Sequence, residues 1–151
     1  MKLTLLLVVV ALLGLLAYIR LAPSDPVRWH VNPLSADSPG EAGILLRPEG
    51  GDDVAPTWQM TSEDLLAAFD QVARAAPRTR KLAGSVEEGQ ITYVTRTKWM
   101  GFPDYVSVRA VPAGEGKATL AVFSRLRFGG SDLGVNRARL MGWLARIEGA
   151  T

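Results

Sequence analysis

Arg127-Phe128-Gly129-Gly130-Ser131-Asp132-Leu133-Gly134-Val135-Asn136-Arg137 joins a strand pattern to a helix pattern, and the fold is read outward from it. Before it, Lys117 to Arg127 alternates with period two. Ala118, Leu120, Val122, Ser124 and Leu126 fall on one face, with Thr119, Ala121, Phe123, Arg125 and Arg127 on the other. That is the signature of a half-buried strand. After it, Leu133, Leu140, Leu144 and Ile147 recur at helical spacing and predict an amphipathic helix from Leu133 to Ile147. Between the two, glycines turn the chain, and Ser131-Asp132 supplies side-chain oxygens for the first helical amides.

Arg137 falls on the apolar line of that helix, with Asn136 beside it. A polar group buried without a partner costs about 1–3 kcal/mol, so the stripe demands acceptors. Asp132 at the cap and Asp104 at a sheet corner are the carboxylates available. The structural reading is therefore a motif of Asp104, Gly129, Ser131, Asp132, Gly134, Asn136 and Arg137. In it Ser131 and Asp132 cap, the glycines turn, and Arg137 locks the helix to the corner.

Upstream, Thr79 to Ser85 and Gln90 to Trp99 form a hairpin around Glu87-Glu88-Gly89, and Asp104 to Val111 returns after the corner Met100-Gly101-Phe102-Pro103. Thr61 begins a helix with Glu63 and Asp64 in its first turn, and Leu65, Leu66, Phe69, Val72, Ala73 and Ala76 repeat along it until Pro77. The predicted fold is α+β: a four-stranded antiparallel meander flanked by two amphipathic helices, over residues 57–148. One sheet face packs on the helices and the other is expected wet, collecting Arg96, Lys98, Arg109, Arg125 and Arg127.

Leu3 to Ile19 carries no charge and is bracketed by Lys2 and Arg20. With a rise of about 1.5 Å per residue it suffices for a thin bilayer. Cleavage after Ala22 would set Arg20, and cleavage after Ala17 would set Leu15, where a small residue is expected, so an uncleaved anchor over residues 1–22 is favoured over a signal peptide. The short amino-terminal tail stays inside. The rest is then expected outside the cytoplasmic membrane, as a single-pass protein held in the bilayer by residues 3–19. Residues 23–56, rich in proline and acid, read as a linker in which only Gly43-Ile44-Leu45-Leu46-Arg47 could dock on the domain edge. Trp29-His30 reads as an interfacial tryptophan beside an idle histidine.

The absence of cysteine excludes disulfides, thiolate metal sites and a cysteine nucleophile, and His30 alone cannot build a histidine metal cluster. No metal or cofactor is expected. From Pro23 to Pro77 there are three Lys/Arg against nine Asp/Glu, and from Arg78 onward twelve against six. Mutual neutralisation within one fold accounts for that split, and so does a basic face that receives an anion. Nucleic acid is a poor fit, because the basic residues are not interleaved with exposed aromatics.

The chain resembles a family known as domain of unknown function number 1499, which occurs in bacteria and plant plastids. The matching residues are Ser124, Arg127, Gly129, Ser131, Asp132, Leu133, Gly134, Asn136 and Arg137, together with Pro77-Arg78-Thr79 and Gly101-Phe102-Pro103-Asp104. Gly130 stands where the family often has an aromatic residue. The resemblance covers roughly residues 57–148 and implies no activity.

Two functions follow as expectations. One is a non-catalytic binding or scaffold domain whose basic residues (Arg96, Lys98, Arg109, Arg125, Arg127, with Ser131) meet an envelope protein, an anionic lipid or a small anion. The other is a hydrolase or isomerase-like enzyme built on Asp104, Asp132 and Arg137. No histidine lies in the same domain as Ser124 or Ser131, which weighs against a serine triad.

Overall fold

The computed structural model describes residues 1–149. The chain opens with α1 (Lys2–Leu21), 20 residues with a mean hydropathy of 2.5 over its most apolar window. By length and composition it can cross a membrane, and a signal sequence meets the same description. Its far end packs on the rest of the protein. Tyr18 meets Phe128 edge-on at 6.4 Å, and Ile19 and Ala22 are buried. Then come α2 (Pro26–Trp29), a 3-10 turn at Gly40–Ala42, β1 (Gly43–Leu46), β2 (Thr57–Trp58), α3 (Ser62–Ala75), β3 (Thr79–Ser85), β4 (Gln90–Arg96), β5 (Pro103–Pro112), β6 (Ala118–Leu126) and α4 (Val135–Glu148).

The architecture is α+β, but the sheet has six strands rather than the expected four. The order is β1-β6-β5-β4-β3, and β2 pairs with β6 as well. Each of these pairings is antiparallel. Of the two extra strands, β1 comes from the expected linker, at the run expected to dock on the domain edge, and β2 from the first residues of the expected domain. Gly43–Leu46 contains no proline, so its amides can complete a ladder. Ile44, Leu45 and Leu46 are almost wholly buried. Strand β6 is thus internal, and a run apolar on both faces carries no period-two signal to announce it.

One face of the sheet closes the main core. Ile91, Tyr93, Val106, Val108, Leu120, and Val122 meet Phe69 of α3 and Leu140, Trp143 and Leu144 of α4. The capping expected of α3 takes the form of a reciprocal pair: Thr61 Oγ1 accepts from the Asp64 amide at 3.1 Å and donates to the Asp64 carboxylate at 2.7 Å. The Tyr93 hydroxyl donates to Asp70 at 2.7 Å and ties α3 to β4. Burial first, and that carboxylate second, push the phenol well above its ordinary pKa, so it stays a donor.

The other face is covered along its middle, not wet as expected. The Trp29 ring stacks on Tyr105 with centroids 4.0 Å apart and planes 8° from parallel. His30 Nδ1 lies 2.8 Å from Thr92 Oγ1, which is itself 2.8 Å from Ser107 Oγ. Ser24 reaches the Tyr105 hydroxyl at 2.9 Å. Trp29 is therefore a core residue, and His30 is a bonded one. Tyr105, Thr92 and Ser107 present ring and hydroxyl groups on a sheet face, and a passing tryptophan and imidazole satisfy both kinds.

Candidate functional site

The turn from β6 into α4 is held by acid. Asp132 accepts from the Gly134 amide at 2.8 Å with one oxygen and from the Asn136 amide at 2.9 Å with the other. Ser131 Oγ accepts from the Leu133 amide at 3.3 Å. Leu133 and Gly134 both take positive φ, 52° and 80°. That swing delays the helix to Val135 and leaves Leu133 92% exposed, so it does not join the buried stripe.

Arg137 does not lock the helix. Its side chain is 49% exposed and pairs at 2.9 Å with Asp53, an equally open residue. The guanidinium on Asp104 belongs to Arg139, whose Nη2 donates at 2.8 Å, with side-chain exposures of only 14% and 6%. Arg139 Nη1 also donates to Asn136 Oδ1, which accepts from Ser124 Oγ at 2.6 Å. Asn136, Leu140, Trp143, Leu144 and Ile147 form the buried line of α4, and at about 100° per residue positions 137 and 139 fall on its opposite flanks, 139 toward Asp104 and 137 toward Asp53.

Asp104 and Asp132 both line a cavity of about 310 Å³ walled by Phe102, Leu126, Phe128 and Val135. Burial raises the Asp104 pKa, while the Arg139 hydrogen bond pulls it back. With Arg137 elsewhere, the expected Asp104, Asp132 and Arg137 constellation is not assembled.

The basic residues divide into separate groups. Arg125 lies between the Trp29 and Phe123 rings, its guanidinium carbon 5.1 and 4.2 Å from their centroids. Burial, reinforced by the nearby charge of Arg28 and opposed by Tyr105, lowers its pKa to about 10, which leaves it charged at neutral pH. Arg127 crosses the Trp29 and Phe128 rings and donates to the Pro23 carbonyl at 2.7 Å. Both arginines therefore help fasten the covering segment. Arg109 sits opposite Gln90 at the far end of β4, roughly 20 Å along the strand from Arg96. Ser131 opens onto another hollow beside Glu41 and Arg137.

Arg96 and Lys98 do meet, in a cleft of about 380 Å³ completed by Arg20, Arg78 and Arg80. Arg78-Thr79-Arg80 runs antiparallel to Val94-Thr95-Arg96, with Thr79 paired to Thr95 and Arg80 to Val94. The Arg96 amide donates to the Arg78 carbonyl at 3.0 Å. Arg78 Nε donates to the Arg96 carbonyl at 3.1 Å, and Arg96 Nη1 to the Gly101 carbonyl at 2.8 Å. Arg80 and Arg96 are diagonal neighbours on one face of the paired strands, and Arg78 and Lys98 stand in the turns just beyond the strand ends and line the same cleft. No carboxylate lines the cleft, and none of its five cations forms a salt bridge among the described residues. Sequence reasoning missed Arg20, Arg78 and Arg80. The repeated basic-Thr-basic triplet, at the start of β3 and across the end of β4, was the signal that could have found the last two.

Among the described residues no three histidines or carboxylates gather as metal ligands. No curated protein matches the sequence. A crystal structure of the adenylate sensor from AMP-activated protein kinase, in complex with a 5-aminoimidazole-4-carboxamide ribofuranotide, is similar in fold: TM-score 0.50 at 11% identity, covering 64% of this chain and 96% of that one. The likeness concerns fold alone. Residues 23–147 match the family described as "Protein of unknown function (DUF1499)", and the chain belongs to that family.

Proposed function

We propose that the protein is a membrane-anchored, non-catalytic binding module whose basic cleft takes an anion. The observation that carries this reading is the convergence of Arg20, Arg78, Arg80, Arg96 and Lys98 on one open concavity without a carboxylate. Like charges held together lower stability unless an anion offsets them, and guanidinium forks match phosphate or carboxylate oxygens. Helix α1 acts as an uncleaved anchor with the domain outside the cytoplasm. The packing of Tyr18, Ile19 and Ala22 against the domain supports retention of the helix.

The test is a titration of the full chain, in neutral detergent micelles, with inorganic pyrophosphate followed by calorimetry. Saturable binding that weakens with salt and in Arg96→Gln is expected. Heat indistinguishable from dilution would remove the reading.

A second reading, an acid–base enzyme, is favoured by the cavity that Asp104 and Asp132 share. Asp132 is engaged at both oxygens by backbone amides, and Asp104 by Arg139, so neither carboxylate is free to move a proton without breaking the fold's own bonds. Turnover of a simple ester or phosphoester that vanishes in Asp104→Asn would favour it, and silence across such a panel would dismiss it.

A further inference from the structure

We propose that the cleft is a docking site for the phosphate of an anionic phospholipid headgroup, with the β4–β5 loop seated in the bilayer interface beside it. The proposal rests on the anion-binding reading and names its ligand.

An apolar helix of 20 residues spans about 30 Å, the thickness of a bilayer's hydrocarbon core. Arg20 stands in its last turn and so falls at the headgroup boundary, where a long basic side chain extends toward phosphate. Arg20 is also one wall of the cleft. A cleft that shares a wall with the end of the anchor opens at headgroup level.

Trp99 is 80% exposed and Met100 44% exposed. A bare indole and thioether on a loop tip are out of place in water and suited to the acyl boundary. Gly101 follows with φ of 70°, and a Cβ on it would lie 3.1 Å from Arg20 Cγ. The tip thus bends directly against the end of the anchor. Lys98 Nζ lies 5.1 Å from the Trp99 ring centroid, so the cation and the aromatic ring reach the same layer together.

A basic group close to an anionic leaflet gains about 1 kcal/mol, or roughly fivefold in affinity at 1.4 kcal/mol per decade. Five such groups around one cavity discriminate strongly against a zwitterionic headgroup, whose own ammonium they would repel.

The experiment uses the full chain in nanodiscs of phosphatidylcholine, with or without phosphatidylglycerol, and in micelles for native mass spectrometry. Trp29, Trp58 and Trp143 are buried, so quenching by lipid-borne bromine reads Trp99. Wild type should retain phosphatidylglycerol over phosphatidylcholine, lose about fivefold in Arg80→Gln and in Lys98→Gln, and show quenching absent from Trp99→Ala. Arg80 and Lys98 are exposed, so unchanged melting of both variants separates lipid loss from unfolding. Equal retention of both lipids, or unquenched Trp99, overturns the inference. If pyrophosphate still binds in micelles, the anion-binding reading stands alone. If neither pyrophosphate nor phosphatidylglycerol binds, both fall.

Discussion

Arg139 Nη2 and Asp104 Oδ2 lie 2.8 Å apart, where water hardly reaches either group. The pair ties α4 to the start of β5, and Asn136 and Ser124 extend it into the sheet. Removing one partner leaves the other as a buried uncompensated charge. Arg139→Ala and Asp104→Ala should each lose about 3–5 kcal/mol of unfolding free energy, whereas replacing both by apolar residues should cost much less. Denaturant titration of the double-mutant cycle checks this. Single variants within about 0.5 kcal/mol of wild type would show that the pair holds nothing.

Asp104 also fixes the sign of a pH effect. Burial holds its folded pKa above the ordinary carboxylate value despite Arg139. The folded state therefore binds this proton more tightly than the unfolded chain. The group's contribution to stability is full below about pH 4 and declines as pH rises through its raised folded value. Asp53 has the opposite sign, because the Arg137 hydrogen bond lowers its pKa, and its open position makes that contribution small. Melting temperature against pH should therefore show the advantage of wild type over Asp104→Asn shrinking from acid toward neutral pH. An advantage that grows with pH reverses the assignment.

Trp29 on Tyr105 makes the segment after α1 part of the folded unit. The indole covers Val94 and Leu82 and forms one side of the Arg125 sandwich. Trp29→Ala should lower stability by about 3–5 kcal/mol, the range for deleting a large buried aromatic. A change below about 0.5 kcal/mol, read by urea denaturation, would return residues 23–36 to the status of a tether.

The meander and α3 were legible because their residues alternate or repeat on one face, and a sheet packed on helices forces that pattern. Strand β1 was not, since Ile44, Leu45 and Leu46 are buried on both faces and sit among prolines. Arg137 and Arg139 flank the buried line of α4 on opposite sides, and apolar spacing alone does not say which flank faces an acid. Of the basic residues foreseen, Arg96 and Lys98 lie in the cleft, while Arg125 and Arg127 hold the cover. Period alone cannot tell an exposed arginine from one beneath a tryptophan that arrives from many residues away.

Arg78 offers the sharpest separation of stability from binding. It takes φ of 56°, a left-handed conformation that costs a side-chain-bearing residue about 1–2 kcal/mol relative to its ordinary regions. Glycine adopts it freely. Arg78→Gly gives up the Nε bond to the Arg96 carbonyl, an exposed interaction of about 0.5–1.5 kcal/mol. The two effects offset, so the variant should melt close to wild type while losing one of the five cleft cations. Pyrophosphate affinity should then fall about fivefold with no change in fold. Unchanged affinity in a variant that melts normally would mean that the strained backbone at Arg78 serves the hairpin and not the anion.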